Sequence, residues 1–247
     1  MGDEPCYDLN ELARSNWHVH TNRSGCALPE MTMGSIAAAA EAAGLRTVAL
    51  VDHHNDPRED IVGLNGALKV ELEEVDTPVR FVIGAELSAT GIGKFADSTA
   101  VNRRVDYRLY SCNHYHLGHW EHPEERTPRA YAEHMLAVLW NLLPSGRADC
   151  IAHPLLASFI AIEGADHTAV TRAITDQEMA DVFELCTLNS VAWDLNARCM
   201  LDDPEMSRRQ WNVGREVGVA FRLGTDAHRL AEIATSPLLP KLMQMLS

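Results

Sequence analysis

The chain has 247 residues, of which 46 % are hydrophobic and 23 % charged, with a formal net charge of −14 and a pI near 5.2. That length and apolar content suit one (β/α) barrel or two small domains. The charge argues against nucleic acid as a general partner, because phosphate-backbone binding needs clustered Lys and Arg, and the only lysines are Lys69, Lys94 and Lys241.

In chain order, residues 1–15 carry Asp3, Glu4, Asp8 and Glu11 without an apolar core, so no signal peptide is expected. Residues 16–21 read as a first strand. Thr32 caps an Ala-rich helix that Gly44 closes. Residues 46–51 are apolar and β-branched, a buried second strand. Residues 58–74 place Ile61, Leu64, Leu68 and Leu72 at helical spacing. Third and fourth strands are expected at 79–85 and 107–113, a helix at 128–143 and a fifth strand at 150–152. A helical turn at 176–180, a sixth strand at 182–186, a helix at 204–217, a seventh strand at 219–223 and a last helix at 237–246 complete the series. This alternation predicts a parallel α/β fold. With no repeat or linker visible, residues 1–247 are expected to form a single domain. The connections 91–106, 118–127 and 155–177 are long enough to wall a substrate site. No run approaches a membrane span. None of the six cysteines forms a CxxC pair, and Cys112, Cys150 and Cys186 read as buried thiols, so a reduced cytoplasm is the expected setting.

Metal-type donors recur where the predicted strands end, which is where barrel folds carry their chemistry. They are His18 and His20, His53, Glu86, His114, His153, and Asp226 with His228. His18 and His20 stand two apart on an extended segment and so share a face. Eight donors exceed one tetrahedral ion and suit two or three ions, with a carboxylate able to bridge. The donors are mixed imidazole and carboxylate, which points to Zn, Mn or Fe rather than Mg. Asp52 reads as an acceptor that orients an imidazole. His119, His122, His134 and His167 read as ordinary core or surface histidines.

The run His18-Val19-His20-Thr21, Ser24-Gly25-Cys26-Ala27, Ala42-Ala43-Gly44-Leu45 and Asp52-His53-His54 resembles the opening of a PHP-domain (polymerase and histidinol phosphatase) protein. Gly84-Ala85-Glu86, Asn113-His114-Tyr115, Ala152-His153-Pro154 and Gly224-Thr225-Asp226-Ala227-His228 resemble its later motifs in order, so the likeness spans roughly residues 16 to 230. The resemblance implies a distorted seven-stranded, TIM-like (β/α) barrel and metal-dependent phosphoesterase activity. It implies one ion on His18, His20, Glu86 and Asp226, a second on Glu86, His114 and His153, and a third on His53 and His228. Relatives tend to place a third-ion ligand where this chain has Gly25 and Cys26, so Cys26 is either a thiolate ligand or an inert thiol. His54 replaces a usual Asn, and His116 stands where a smaller polar residue is common.

The resulting expectation is hydrolysis of a small phosphate monoester by hydroxide generated at the ions. Glu86 and Asp226 serve as catalytic groups, and Arg23, His54 and His116 contact a small anionic phosphorylated metabolite. Two rivals stand beside it. One is an amidohydrolase-like enzyme cleaving a C–N or lactone bond, disfavoured because the expected fourth strand ends in His114 with no Lys nearby and the expected sixth strand offers Glu184 rather than His. The other is a metal-binding, non-catalytic module of the same family.

Overall fold

The computed structural model describes residues 5–246; Asp3 and Glu4 of the acidic leader lie outside them. A one-turn helix, α1 (Leu9–Leu12), leads into strand β1 (Ser15–Val19), helix α2 (Met33–Ala42), strand β2 (Thr47–His54), helix α3 (Ile61–Glu73) and strand β3 (Arg80–Gly91). A short strand β4 (Lys94–Phe95) folds back antiparallel on β3. Helix α4 (Thr99–Asn102), strand β5 (Arg108–Ser111), helix α5 (Pro128–Leu142) and strand β6 (Cys150–Ile151) follow. The chain continues through α6 (Thr168–Arg172), α7 (Asp176–Leu188), β7 (Ala192–Asn196), α8 (Ala197–Asp202), α9 (Pro204–Val217) and β8 (Phe221–Gly224) to α10 (Leu239–Leu246).

Seven strands pair in parallel in the order β1-β2-β3-β5-β6-β7-β8, and the helices cover the outside of a nearly closed, TIM-like barrel. Between β8 and β1 there is only one parallel bridge, Val19 to Ala227. The His20 N–H donates to Ala227 O (3.0 Å) and the Ala227 N–H to His18 O (3.2 Å). The buried Asn16 side chain clasps the same seam. Its Nδ2 donates to Thr225 Oγ1 (2.6 Å) and Ile233 O (3.0 Å), and its Oδ1 accepts from Thr225 N (3.2 Å).

The helix starts follow the local chemistry. Thr32, Asp60, Thr127 and Asp203 each accept from a backbone N–H in the first turn, and Thr175 forms a reciprocal capping box with Glu178. Gly218 ends α9 with φ 89°, a conformation that costs glycine nothing.

One apolar cluster takes a residue from almost every barrel strand: Trp17, Ala49 and Val51, Val82, Leu109, Cys150 and Ala192. It therefore marks the barrel interior. Period-two alternation from these positions brings His53, Glu86 and Asp194 to the same inner face, one layer higher. On β1 the register slips between Asn16 and Val19. That irregularity turns His18 and then His20 inward, while Val19 packs outward with Met31, Ile36 and Leu50.

The sixth barrel strand differs from expectation. Residues 176–188 form one continuous helix rather than a turn and a strand, and the strand is Ala192–Asn196. Met179, Val182, Phe183 and Cys186, all buried, follow a 3-1-3 spacing that winds one helix face onto the core. Glu184 is thus a helical residue. The third strand also runs further than expected, so Glu86 lies within β3 rather than just past its end. Among the described residues no helix is long and apolar enough to cross a membrane.

Candidate metal centre

All eight expected donors meet at the carboxyl end of the barrel, with Glu86 in the middle and fully buried. Its Oε1 lies 2.8 Å from His153 Nε2 and 3.6 Å from His114 Nε2. Its Oε2 lies 2.8 Å from His53 Nδ1 and 3.5 Å from both His18 Nε2 and His20 Nε2. Asp226 Oδ1 closes the second set at 3.3 Å from His18 Nε2 and 3.0 Å from His20 Nε2. Three groups have their donor atoms within 4.8 Å of one another: His18, His20 and Glu86; Glu86, His114 and His153; and His20, His53 and His228. His114 joins the cluster by position, and His116 does not.

The donor chemistry fits divalent cations. The ring nitrogens Nε2 of His18 and His20 face each other at 3.1 Å, and those of His114 and His153 at 3.3 Å. Paired lone pairs at that spacing suit a shared ion. Glu86 Oε2 and His53 Nδ1 are buried without a hydrogen bond of good geometry, a costly arrangement that a cation relieves. These buried His and Glu clusters can hold metal ions.

The packed carboxylates and imidazoles shift one another strongly. Burial alone would raise the Glu86 pKa, but the imidazoles of His53, His18 and His153 hold it well below the usual carboxylate range. Burial disfavours charge on His18, yet Asp226, Glu86 and Asp194 lift it to about 10. His20 is pushed down to about 3 by burial and by the neighbouring His53 charge. Burial likewise pushes His114 down to about 3, leaving an unprotonated imidazole of the kind an ion requires. Cys26 would be raised by burial, but hydrogen bonds from His228 and His53 bring its thiol down to about 6.

Surrounding groups fix the donors. Asp52 accepts from Thr21 N (2.7 Å), Thr21 Oγ1 (2.6 Å) and Ser24 Oγ (2.6 Å), and Ser24 Oγ stands 3.1 Å from His20 Nδ1. Asp52 thus orients His20 through Ser24, the acceptor role expected of it. His153 and Asp226 both have positive φ, 29° and 54°, which is strained for residues with a Cβ. The first turn is pinned by Asn113 Nδ2 donating to His153 O (2.9 Å) and Leu156 O (3.0 Å). The second is pinned by the seam bonds to Ala227.

One residue that sequence reasoning did not single out completes the centre. Asp194, buried on β7, accepts at Oδ2 from the His153 backbone N–H (3.1 Å) and from Asn196 Nδ2 (3.0 Å), and the same oxygen lies 3.3 Å from His18 Nδ1. It ties a donor from β1 to one beyond β6. Had the sixth strand been placed at 192–196, its inward parity would have exposed Asp194 as a candidate.

Three expected substrate contacts fare differently. His54 is buried on the outward side of β2, opposite in parity to His53, and does not line the cavity over the cluster. It is not placed to touch a substrate there. Arg23 reaches the cavity rim, but its guanidinium pairs with Glu71 on α3. His116 lines the cavity against Phe159, ring centroids 4.3 Å apart. This cavity, about 510 Å³, is bounded by Cys26, His53, His114, Phe159 and Arg198 among others. A second, of about 840 Å³, adjoins it and shares Cys26, Arg198, Asp226 and His228.

No protein-family model matches the chain, and no curated protein matches it in sequence. Among solved structures, hisK from Listeria monocytogenes, provisionally described as a histidinol phosphatase, superposes with a TM-score of 0.56 at 10 % identity, covering 89 % of this chain and 97 % of that one. The two share a fold. A Xaa-Pro dipeptidase with methionine in its active site aligns at a TM-score of 0.47 and 12 % identity, over 94 % of this chain and 70 % of that one.

Proposed function

We propose that this chain is a metal-dependent hydrolase of small phosphate monoesters, using two or three divalent ions drawn from Zn, Mn and Fe. The observation that carries the reading is the Glu86 carboxylate, with one oxygen turned to His114 and His153 and the other to His18, His20 and His53. A carboxylate so divided is a natural bridge between two cations. Bound there, divalent ions polarise phosphoryl oxygens and lower the pKa of water.

The chain's own groups supply the rest. Asp226, held well below the usual carboxylate range mainly by His18 and His20, is ionised and so enters as proton acceptor rather than donor; its low basicity requires a water already made acidic. Its Oδ1 faces those imidazoles, whereas its Oδ2 points toward Arg198 (3.9 Å) at the cavity. Oδ2 takes a proton from the attacking water and returns it to the leaving oxygen. Asp194 and Asp52 hold the His18 and His20 rings in place. Arg198, half-exposed and stacked over Phe159 at 5.2 Å, adds positive charge at the mouth, with His116 beside it.

Against an amidohydrolase-like reading, β7 ends in Asp194 and Asn196 rather than His, and no Lys adjoins His114. The test is metal analysis of purified protein combined with a screen of metabolite phosphates. Turnover of a monoester, with competitive inhibition by inorganic phosphate, is expected. Turnover of an amide or lactone without any phosphatase activity overturns the reading.

A further inference from the structure

The cavity over the cluster meets the larger one, of about 840 Å³, at Asp226, and the two differ in chemistry. The first is walled by the rings of His53, His114 and His153 and by the acids Glu59 and Asp60. The second is walled by α8 and by the segment after β8, which winds through two short 3₁₀ turns, Leu230–Glu232 and Ser236–Leu238. Away from the metal donors its surface is mostly apolar: Ala197, Leu201, Ala231, Ala234, Pro237 and Leu238. Leu201 is left 37 % exposed there. Apolar surface kept open inside a concavity is the usual mark of a ligand site.

The polar groups on these outer walls are matched within the chain. Arg229 Nε lies 3.0 Å from Glu232 Oε1, and Glu232 Oε2 accepts from the His228 backbone N–H (3.0 Å). Asp202 pairs with His167 at 2.8 Å, and Thr225 Oγ1 accepts from Asn16 Nδ2 (2.6 Å). The cavity therefore offers a ligand hydrocarbon along its length. At its inner end stand Asp226 Oδ2 and Arg198, 3.9 Å apart. Asp226 is the group that returns a proton to the leaving oxygen, so the departing alcohol has to begin beside it and extend outward.

We propose that the alcohol of the substrate is largely hydrocarbon and lies in this second cavity, against Leu201 and Ala231. The inference rests on the phosphomonoesterase reading above and adds the substrate class to it. It also moves specificity to a new place. None of the connections 91–106, 118–127 and 155–177 lines this cavity; α8 and residues 229–238 do.

The test titrates the metal-replete full chain with linear alkylphosphonates from ethyl to hexyl, whose C–P bond resists hydrolysis. Calorimetry reads Kd, beside turnover of the matching alkyl phosphates. Affinity is expected to rise with chain length, by about fourfold for each methylene withdrawn from water. Leu201 and Ala231 are exposed, so circular dichroism of Leu201→Asp and Ala231→Asp should match the wild type. Both are expected to flatten the series, with hexylphosphonate losing at least about tenfold in affinity as its chain meets a charge. Equal affinity along the wild-type series, in a chain that hydrolyses monoesters, overturns this inference alone. So does a rising series that both variants leave unchanged, which would place the hydrocarbon in the first cavity. A chain that neither binds the phosphonates nor hydrolyses the phosphates overturns the proposed function with it.

Discussion

Replacing Asp194 by Asn isolates what its charge contributes, because the side-chain shape is kept. In the wild type a single oxygen, Oδ2, takes the His153 N–H and the Asn196 amide and stands beside His18 Nδ1. Oδ1 has no hydrogen-bond partner and packs against Gly224, where a Cβ would come within 2.4 Å of it. The introduced amide would keep its oxygen at the Oδ2 position, so its NH₂ group falls where Oδ1 was, buried and without an acceptor. That costs about 1–3 kcal/mol of fold stability. Separately, His18 loses the carboxylate that orients it, and outer-sphere partners of this type are worth roughly 10–100-fold in metal affinity, or about 1.4–2.8 kcal/mol. The two effects separate experimentally. Thermal melts of metal-free protein read the first, and competition against a chromogenic chelator reads the second. An affinity within about twofold of wild type would refute the argument that Asp194 positions His18 for an ion.

Other outcomes follow from the same geometry. Glu86→Gln should cost more metal than His153→Ala, since it weakens both sides of a bridge; equal stoichiometry by elemental analysis would show that Glu86 serves one ion only. Gly84→Ala should prevent β3 and β5 from pairing correctly, because a Cβ there would sit 2.1 Å from the Tyr107 carbonyl oxygen. A loss above about 3 kcal/mol, read by urea melts, is expected for such a backbone clash. Chelation should lower the melting temperature, and at a metal concentration about 100 times Kd the difference corresponds to about 2.7 kcal/mol. Glu178 is depressed from 4.5 to about 2, mainly by Arg129. Its contribution is therefore present above pH 4.5 and fades as pH falls toward 2. The melting-temperature gap between wild type and Glu178→Gln should narrow across that range, by a small amount because the pair is largely solvated.

The sequence disclosed the donors more readily than the scaffold between them. His18, His20, His53 and Glu86 were legible because each ends or interrupts an apolar run, and an ionisable group there has few structural reasons to exist. Residues 182–186 misled because Val182, Phe183 and Cys186 are as apolar as a strand; only the wider spacing that includes Met179 reveals the helix. The true strand, Ala192–Asn196, is buried at all five positions yet contains Asp194 and Asn196, so no unbroken apolar run marks it. His54 illustrates a different limit. Its type and its neighbour suggested a role at the site, while strand parity, fixed only once β2 was seen to run to residue 54, turns it to the outside.

The seam between β8 and β1 gives the centre a place in time as well as in space. His20 and Asp226 are 206 positions apart in the chain, and they meet where the sheet lacks a full ladder and relies on Asn16 and two backbone bonds. Contacts of such long sequence separation carry the largest loop-closure cost and reward the chain only after the intervening strands have paired. A nascent or partly folded chain missing its last strand can collect Glu86, His114 and His153, but not the complete set. Only the finished barrel brings all eight donors together, so chemistry that needs the complete set is withheld until folding is over.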